Sequence, residues 1–163
     1  MADDIARVWD IIERHSVGML TTHFGGGLRA RPLDARPDRG EGAIFFLTDV
    51  RGLKDDEIAA DPAVGFVVID DRDKAYLSIT GRASILTDAA RAAKIWKKSD
   101  DMWWPGREND PNVRVLRLDP HTAELWDGPK SSAAAAFEFL KARVTGDKPE
   151  LGENVKKTID MSI

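Results

Sequence analysis

The chain has no cysteine, one tyrosine and three histidines among its 163 residues. Without thiols there are no disulfides, no iron–sulfur or zinc–thiolate ligation and no cysteine nucleophile. His15, His23 and His121 are scattered and share no metal-ligand spacing. Ser16, Ser78 and Ser84 lack the flanking glycines of a nucleophile elbow, which argues against a Ser-His-Asp hydrolase. The acidic neighbours Asp55-Asp56 and Asp100-Asp101 do not face each other across a cleft and read as solvated faces. No apolar run reaches membrane-spanning length, and Met1-Ala2-Asp3-Asp4 is acidic where a secretory signal is basic. A cytoplasmic location with no membrane is expected. The net charge of -4 implies no general affinity for nucleic acid. If the protein is an enzyme, a cofactor supplies the chemistry.

Hydrophobic residues make up 42% and charged residues 32%, ordinary values for one domain with a real core. Ile5, Val8, Trp9 and Ile12 recur at helical spacing and predict an opening helix ending near Arg14. Strands are predicted over 17–22 and 28–35, joined by a turn at Gly25-Gly26-Gly27. A loop over 37–42 leads to a nearly continuous apolar strand over 43–48. A short helix before Asp61-Pro62 follows, then strands over 63–69, 75–80 and 82–86, the last two broken by Gly81. A helix is predicted over 88–98 and strands over 113–118 and 122–126, with a stop at Asp119-Pro120 between them. An Ala-rich helix starts at Ser131. The expected organisation is a single domain over 1–146 including that C-terminal helix, and a mobile or extended tail over 147–163. Tight turns between strands and few intervening helices argue against a doubly wound parallel sheet. A mainly β antiparallel barrel with peripheral helices fits better, and closure protects its apolar edges.

The run Arg29-Ala30-Arg31-Pro32-Leu33 is the strongest candidate for a site. Strand alternation sends Arg29 and Arg31 to one face. Their guanidiniums repel unless the strand is solvated or an anion lies between them, and both alternatives stand at this point. Pro32 lacks a ladder donor, so its strand has an edge or a bulge there. A return through 43–48 can bring Lys54 and the Thr48 hydroxyl to the arginines, with backbone N–H groups near Gly52 as further donors to a phosphate. Lys54 alone reads more readily as a helix-surface lysine. Trp103-Trp104 before Pro105-Gly106 is either an apolar lid, a wall for a flat ligand or a subunit contact. Trp126 stands at a strand end, where its side chain can reach a pocket.

The ordered set Gly18-Met19-Leu20-Thr21-Thr22, Leu28-Arg29-Ala30-Arg31-Pro32-Leu33, Ile44-Phe45-Phe46-Leu47-Thr48-Asp49 with Lys54, Asp61-Pro62-Ala63-Val64, Tyr76-Leu77-Ser78-Ile79-Thr80-Gly81-Arg82-Ala83, Trp103-Trp104-Pro105-Gly106 and Ala123-Glu124-Leu125-Trp126-Asp127-Gly128-Pro129 resembles the FMN-binding split-barrel proteins related to pyridoxamine 5'-phosphate oxidase. The likeness covers residues 4–130 and is greatest to the general stress protein 26-like branch. It implies an antiparallel split β-barrel and a homodimer with FMN in a groove between subunits. By carry-over, Arg31 and Lys54 meet the phosphate, with Arg29 as a further candidate. Pro32 and Leu33 run beside the ring, Leu47 and Thr48 touch the flavin, Ser78 lies where the partner subunit approaches, and Trp126 packs near the ring. Leu53 stands where the oxidases often carry arginine. Their carboxy-terminal arginine–histidine segment has no counterpart here, so vitamin B6 oxidation is not implied. What is implied is a flavin-dependent oxidoreductase of unknown substrate, with NADH or NADPH as reductant. The alternatives are a non-catalytic flavin-binding stress or sensor protein and an interaction module whose groove has decayed.

Overall fold

The sheet begins at a turn set by two glycines. In the computed structural model, which describes residues 2–127, 141, 143 and 155–162, Gly25 and Gly26 take φ of 53° and 81°. Two successive positive values suit a tight hairpin. They register β1 (Val17–Phe24) against β2 (Gly27–Asp34) from the Phe24–Gly27 pair outward. After Ala35 the chain forms β3 (Arg36–Asp38) and returns as β4 (Ala43–Asp49). Helix α2 (Lys54–Ala60), β5 (Ala63–Asp70), β6 (Ala75–Leu86), α3 (Ala89–Ile95), β7 (Val113–Asp127) and β8 (Val155–Asp160) follow. Helix α1 (Ala2–Arg14) precedes them and buries Val8, Trp9, Ile11 and Ile12.

The strand order is β2-β1-β5-β6-β7-β4-β3, with β8 also on β7, and every pairing is antiparallel. β2 and β3 are nearly one strand yet lie at opposite ends of that order. The chain therefore closes the barrel through Ala35, whose N–H donates to the Ser16 carbonyl at 2.7 Å. β2 pairs with β1, while β3 pairs with β4 over only three residues. This leaves β2 and β4 diverging, which is the split of a mainly β, antiparallel split barrel with peripheral helices. Pro32 sits on the edge strand β2, where its missing donor is tolerated.

Leu20, Phe46, Phe66, Leu77, Ile79 and Leu118 are among the fully buried residues of the main core. Phe46 and Phe66 meet edge-on with ring centroids 5.1 Å apart. A second cluster joins Phe45 and Leu47 to Ala92, Trp104 and Val115. β4 is thus covered on both faces, which explains why its sequence is unbroken apolar rather than alternating.

Four details depart from the sequence reading. The 37–42 stretch is not all loop, because Arg36–Asp38 pairs with β4. The predicted breaks at Gly81 and Asp119-Pro120 both lie inside continuous strands. They face each other, with Gly81 opposite Pro120 and Thr80 opposite Thr122, so His121 is the extra residue of a bulge. A bulge bends the ladder and removes the need for the proline donor. Beyond it β7 changes partner, from β4 at 113–118 to β8 at 122–127. Within the 147–163 stretch expected to be an extended or mobile tail, residues 155–160 form β8. The expected C-terminal helix over 131–144 lies outside the described residues apart from 141 and 143.

A Cβ at Gly81 would lie 2.2 Å from the Asp119 carbonyl oxygen and 2.9 Å from Leu118 Cδ1. Because the first obstacle is backbone, relief requires the bulge itself to move. Gly81→Ala is expected to destabilise the fold by about 2 kcal/mol or more, measured by urea unfolding.

Candidate functional site

At the open end of the barrel, β2 turns Arg29 and Arg31 toward the same side as the buried residues Leu20 and Thr22 of β1. Helix α2 packs against β1 and β6 and brings the buried Glu57 beneath them. Glu57 Oε2 accepts from Thr22 Oγ1 at 2.5 Å and from Arg31 Nη2 at 2.5 Å. Its Oε1 accepts from Arg29 Nη1 at 3.0 Å. Arg31 Nη1 also donates to Thr22 Oγ1 at 2.8 Å, and the Arg29 guanidinium lies 3.5 Å from the Phe24 ring centroid. Burial disfavours the Glu57 carboxylate, but donation from Thr22 and Arg31 and their neighbouring charges outweigh it and hold its pKa below the usual value. Of the two alternatives for the arginine pair, the anion between them is present, and it is a side chain of this chain.

Lys54 precedes Glu57 by three residues on α2 and so shares its side of the helix. Its Nζ lies over Gly52, 3.2 Å from where a Cβ would stand. Among the described residues it has neither a hydrogen-bond nor an ion-pair partner. Burial lowers the Lys54 pKa, and the positive charge of Arg31 lowers it further. At the end of β4, Thr48 is buried and its Oγ1 lacks a hydrogen-bond partner. A half-buried ammonium with no direct partner and a buried hydroxyl with none are each unusual in a fold, although Asp55, Asp49 and Glu57 offset part of the lysine's charge from a distance. Arg29 and Arg31 share one carboxylate, and Lys54 makes no direct pair among the described residues, although Asp55 and Asp49 act on it from a distance. The Gly52 N–H, a candidate donor in the sequence, is taken by the Asp49 carbonyl at 3.0 Å. Leu53 is exposed and adds no charge.

A cleft of about 280 Å³ lies at the split, where Pro32, Leu33 and Leu47 share it with Trp103 and Trp104. The tryptophan pair divides its work: Trp104 is buried against β4, while Trp103 is 72% exposed. Trp104 Nε1 donates to Asp49 Oδ2 at 3.1 Å. Arg51 also bonds Asp49 and, as the largest cause, holds its pKa far below the usual carboxylate value. Asp100, read from sequence as half of a solvated pair, is buried at the same cleft. It accepts two bonds from Arg36 Nη2, at 3.1 and 3.2 Å, because the 3-10 turn Lys98–Met102 that contains it carries it to a guanidinium that is itself buried. Among the described residues no cluster of histidine and acids could hold a metal ion, and no helix is long and apolar enough to cross a membrane.

Ser78 and Trp126 are not brought to Arg31 and Lys54 within one copy. They lie on the outer face of β6 and β7, and the row Pro32–Met19–Val67–Ser78 crosses β1 and β5 before reaching β6. At strand spacing that is about 14 Å. Their face also exposes Val17, Met19, Val67, Ile69 and Tyr76. Thr22 and Glu57 were not singled out in the sequence. The hairpin count from Gly25-Gly26 places Thr22 opposite Arg29, and the three-residue spacing from Lys54 places Glu57 beside it, so both carried a signal.

Residues 3–150 match the family described as pyridoxamine 5'-phosphate oxidase like. General stress protein 26 of Bacillus subtilis (strain 168) is 29% identical over 124 residues, 74% of this chain and 86% of its own length. A candidate general stress protein 26 from Jannaschia sp. CCS1 superposes with a TM-score of 0.80 at 30% identity, covering 98% of this chain and 99% of that one. The general stress FMN/FAD binding protein of Xanthomonas citri shares the fold, with a TM-score of 0.71 at 23% identity over 81% of this chain and 92% of its own. A match over nearly the whole length, carried on a split barrel with its cationic end intact, makes this chain a member of the pyridoxamine 5'-phosphate oxidase like family, of the general stress protein 26 kind.

Proposed function

We propose that this protein binds FMN as a homodimer and is a flavin-dependent oxidoreductase. The observation that carries the reading is Lys54, half-buried and without a direct partner in the field of Arg31, together with the unsatisfied Thr48 hydroxyl at the end of β4. A phosphomonoester carries about -1.5 to -2 at neutral pH, which complements the surplus positive charge. Arg31 and Lys54 would hold the phosphate, with Arg29 adding to the field. Pro32, Leu33 and Leu47 would shield the flat ring from water, and Thr48 would offer its hydroxyl. When bound, FMN supplies the hydride and electron chemistry that no side chain here provides. A cytoplasmic setting with NADH or NADPH as reductant fits this reading.

The dimer is supported by the exposed apolar row on the outer face. An unpartnered face of this kind marks an interaction surface, and a two-fold axis across it would carry Ser78 and Trp126 of one copy toward the cleft of the other.

One observation favours a non-catalytic flavin carrier instead. Glu57, Asp100 and Asp49 are each engaged by arginines, which leaves none of them free beside the cleft as an acid or base. The two readings separate on whether bound flavin is reduced by NADH or NADPH and reoxidised by an acceptor. A decayed groove is supported only by Leu53, and a colourless protein that takes up no added FMN would establish it.

Lys54→Met is expected to weaken FMN binding by about tenfold or more, the scale of one charged hydrogen bond, while leaving riboflavin affinity unchanged. Because folding depresses the Lys54 pKa, its charged form opposes folding at neutral pH, and the same variant is expected to raise the Tm of the ligand-free protein by about 2 °C. Fluorescence titration and thermal unfolding check the two effects. Val67→Asp places a charge in the middle of the outer row. It is expected to give a monomer by light scattering and to lose FMN although Arg31 and Lys54 are untouched.

A further inference from the structure

We infer that Glu57 is a positioning residue of the anion site, holding Arg29 and Arg31 in the arrangement that admits a phosphate; the inference rests on the FMN reading above. Two roles compete for this carboxylate. As a competitor it occupies the place of the ligand, and its removal would free two guanidiniums and tighten anion binding. As a positioner it fixes those guanidiniums for a ligand on their other side, and its removal would loosen binding.

The geometry favours the second role. The Glu57 side chain is only 4% exposed, against 17% for Arg31 and 36% for Arg29. Access increases from the carboxylate outward, so an incoming anion meets the arginines before it meets Glu57. Both carboxylate oxygens are already engaged, by three donors from two strands. Arg31 spends one Nη1 and one Nη2 bond on Thr22 and Glu57. A guanidinium has five N–H donors in one plane, so three remain, and two bonds have set the plane in which they lie. Without the carboxylate, two like charges on neighbouring same-face positions would splay into solvent. Their side chains would then have to be ordered again at the moment of binding. Thr22 completes the device by tying Glu57 and Arg31 to β1 through one hydroxyl. The same carboxylate offsets one of the two arginine charges and leaves the other to meet an anion.

The test uses Glu57→Gln in the full chain, with Thr22→Val as a second, near-isosteric variant should the first fail to fold. FMN, riboflavin and inorganic phosphate are titrated separately against wild type and variant. Glu57→Gln is expected to lower FMN and phosphate affinity about tenfold and to leave riboflavin affinity within twofold, and Thr22→Val to do the same more weakly. Tighter FMN or phosphate binding in Glu57→Gln would overturn the inference in favour of competition. An equal fall for FMN and riboflavin would overturn it in favour of a merely structural role. A wild type that binds phosphate but not FMN defeats the FMN reading alone, since the phosphate titration still decides the role of Glu57. A wild type that binds neither defeats both.

Discussion

Residues 27–38 serve both edges of one sheet, and the rest of the molecule is arranged around that constraint. The first part must follow β1 and the last part must follow β4, so the chain bends at Ala35 and the two neighbours cannot stay parallel to each other along their length. A closed barrel would bury everything between them. Here the divergence leaves an opening whose walls are Pro32 and Leu33 on one side and Leu47 on the other. The opening has no ladder to satisfy its backbone, which is why a proline is tolerated there and why tryptophans from the 98–104 turn cover part of it. Trp104 reaches Asp49, and Asp49 holds Arg51, so the loop leading to Lys54 is set by the same segment that covers the cleft.

Charge at this opening follows from burial rather than from composition. The chain is acidic overall, yet its open end is cationic. Two arginines on one strand face would repel, and a buried carboxylate from α2 resolves the conflict. Such a network is costly to break: removing one partner of a buried ion pair typically destabilises by about 3–5 kcal/mol, because the others are left without compensation. Among the described residues Lys54 makes no such direct pair, and Asp55, Asp49 and Glu57 offset its charge only from a distance. A protein that balances its arginines with a buried glutamate yet leaves a lysine beside them without a direct partner keeps that ammonium open to an anion, and a lysine is suited to it because its flexible stem and shifting pKa tolerate both the empty and the filled state.

How much of this was legible in the sequence varies residue by residue. The β1–β2 register followed from Gly25-Gly26, since positive φ at both positions leaves few other turns. The apolar run Ile44-Phe45-Phe46-Leu47 announced a strand covered on both faces. The long β6 and β7 were misread as four pieces because Gly81 and Pro120 are each a legitimate local stop. Only their being opposite each other turns two breaks into one bulge, and opposition is not a local property. β8 escaped because Lys156-Lys157-Thr158 is polar, as befits exposed positions, and Ile159 is the residue of that run that reports burial. Glu57 and Asp100 were passed over for a shared reason. Acids in acidic runs look solvated, and what buries them is an arginine 26 or 64 residues away.

Ser78 and Trp126 close the argument from the other side. They belong to the site only through the resemblance, and within one copy they lie beyond two intervening strands. The cationic groups come from β2 and α2 and the cleft walls from β2, β4 and the tryptophan pair, so one copy contains groups that attract a phosphate and walls for a flat ring. In the proposed dimer the partner would cover the side that stays open. The outer face that carries Ser78 and Trp126 is exposed and apolar along Met19, Val67 and Tyr76, properties that a solvated sheet face has no physical reason to keep. A second copy would therefore supply two things at once, cover for that face and cover for the open side of the cleft, and the folding problem of the sheet and the binding problem of the cleft would have a single solution.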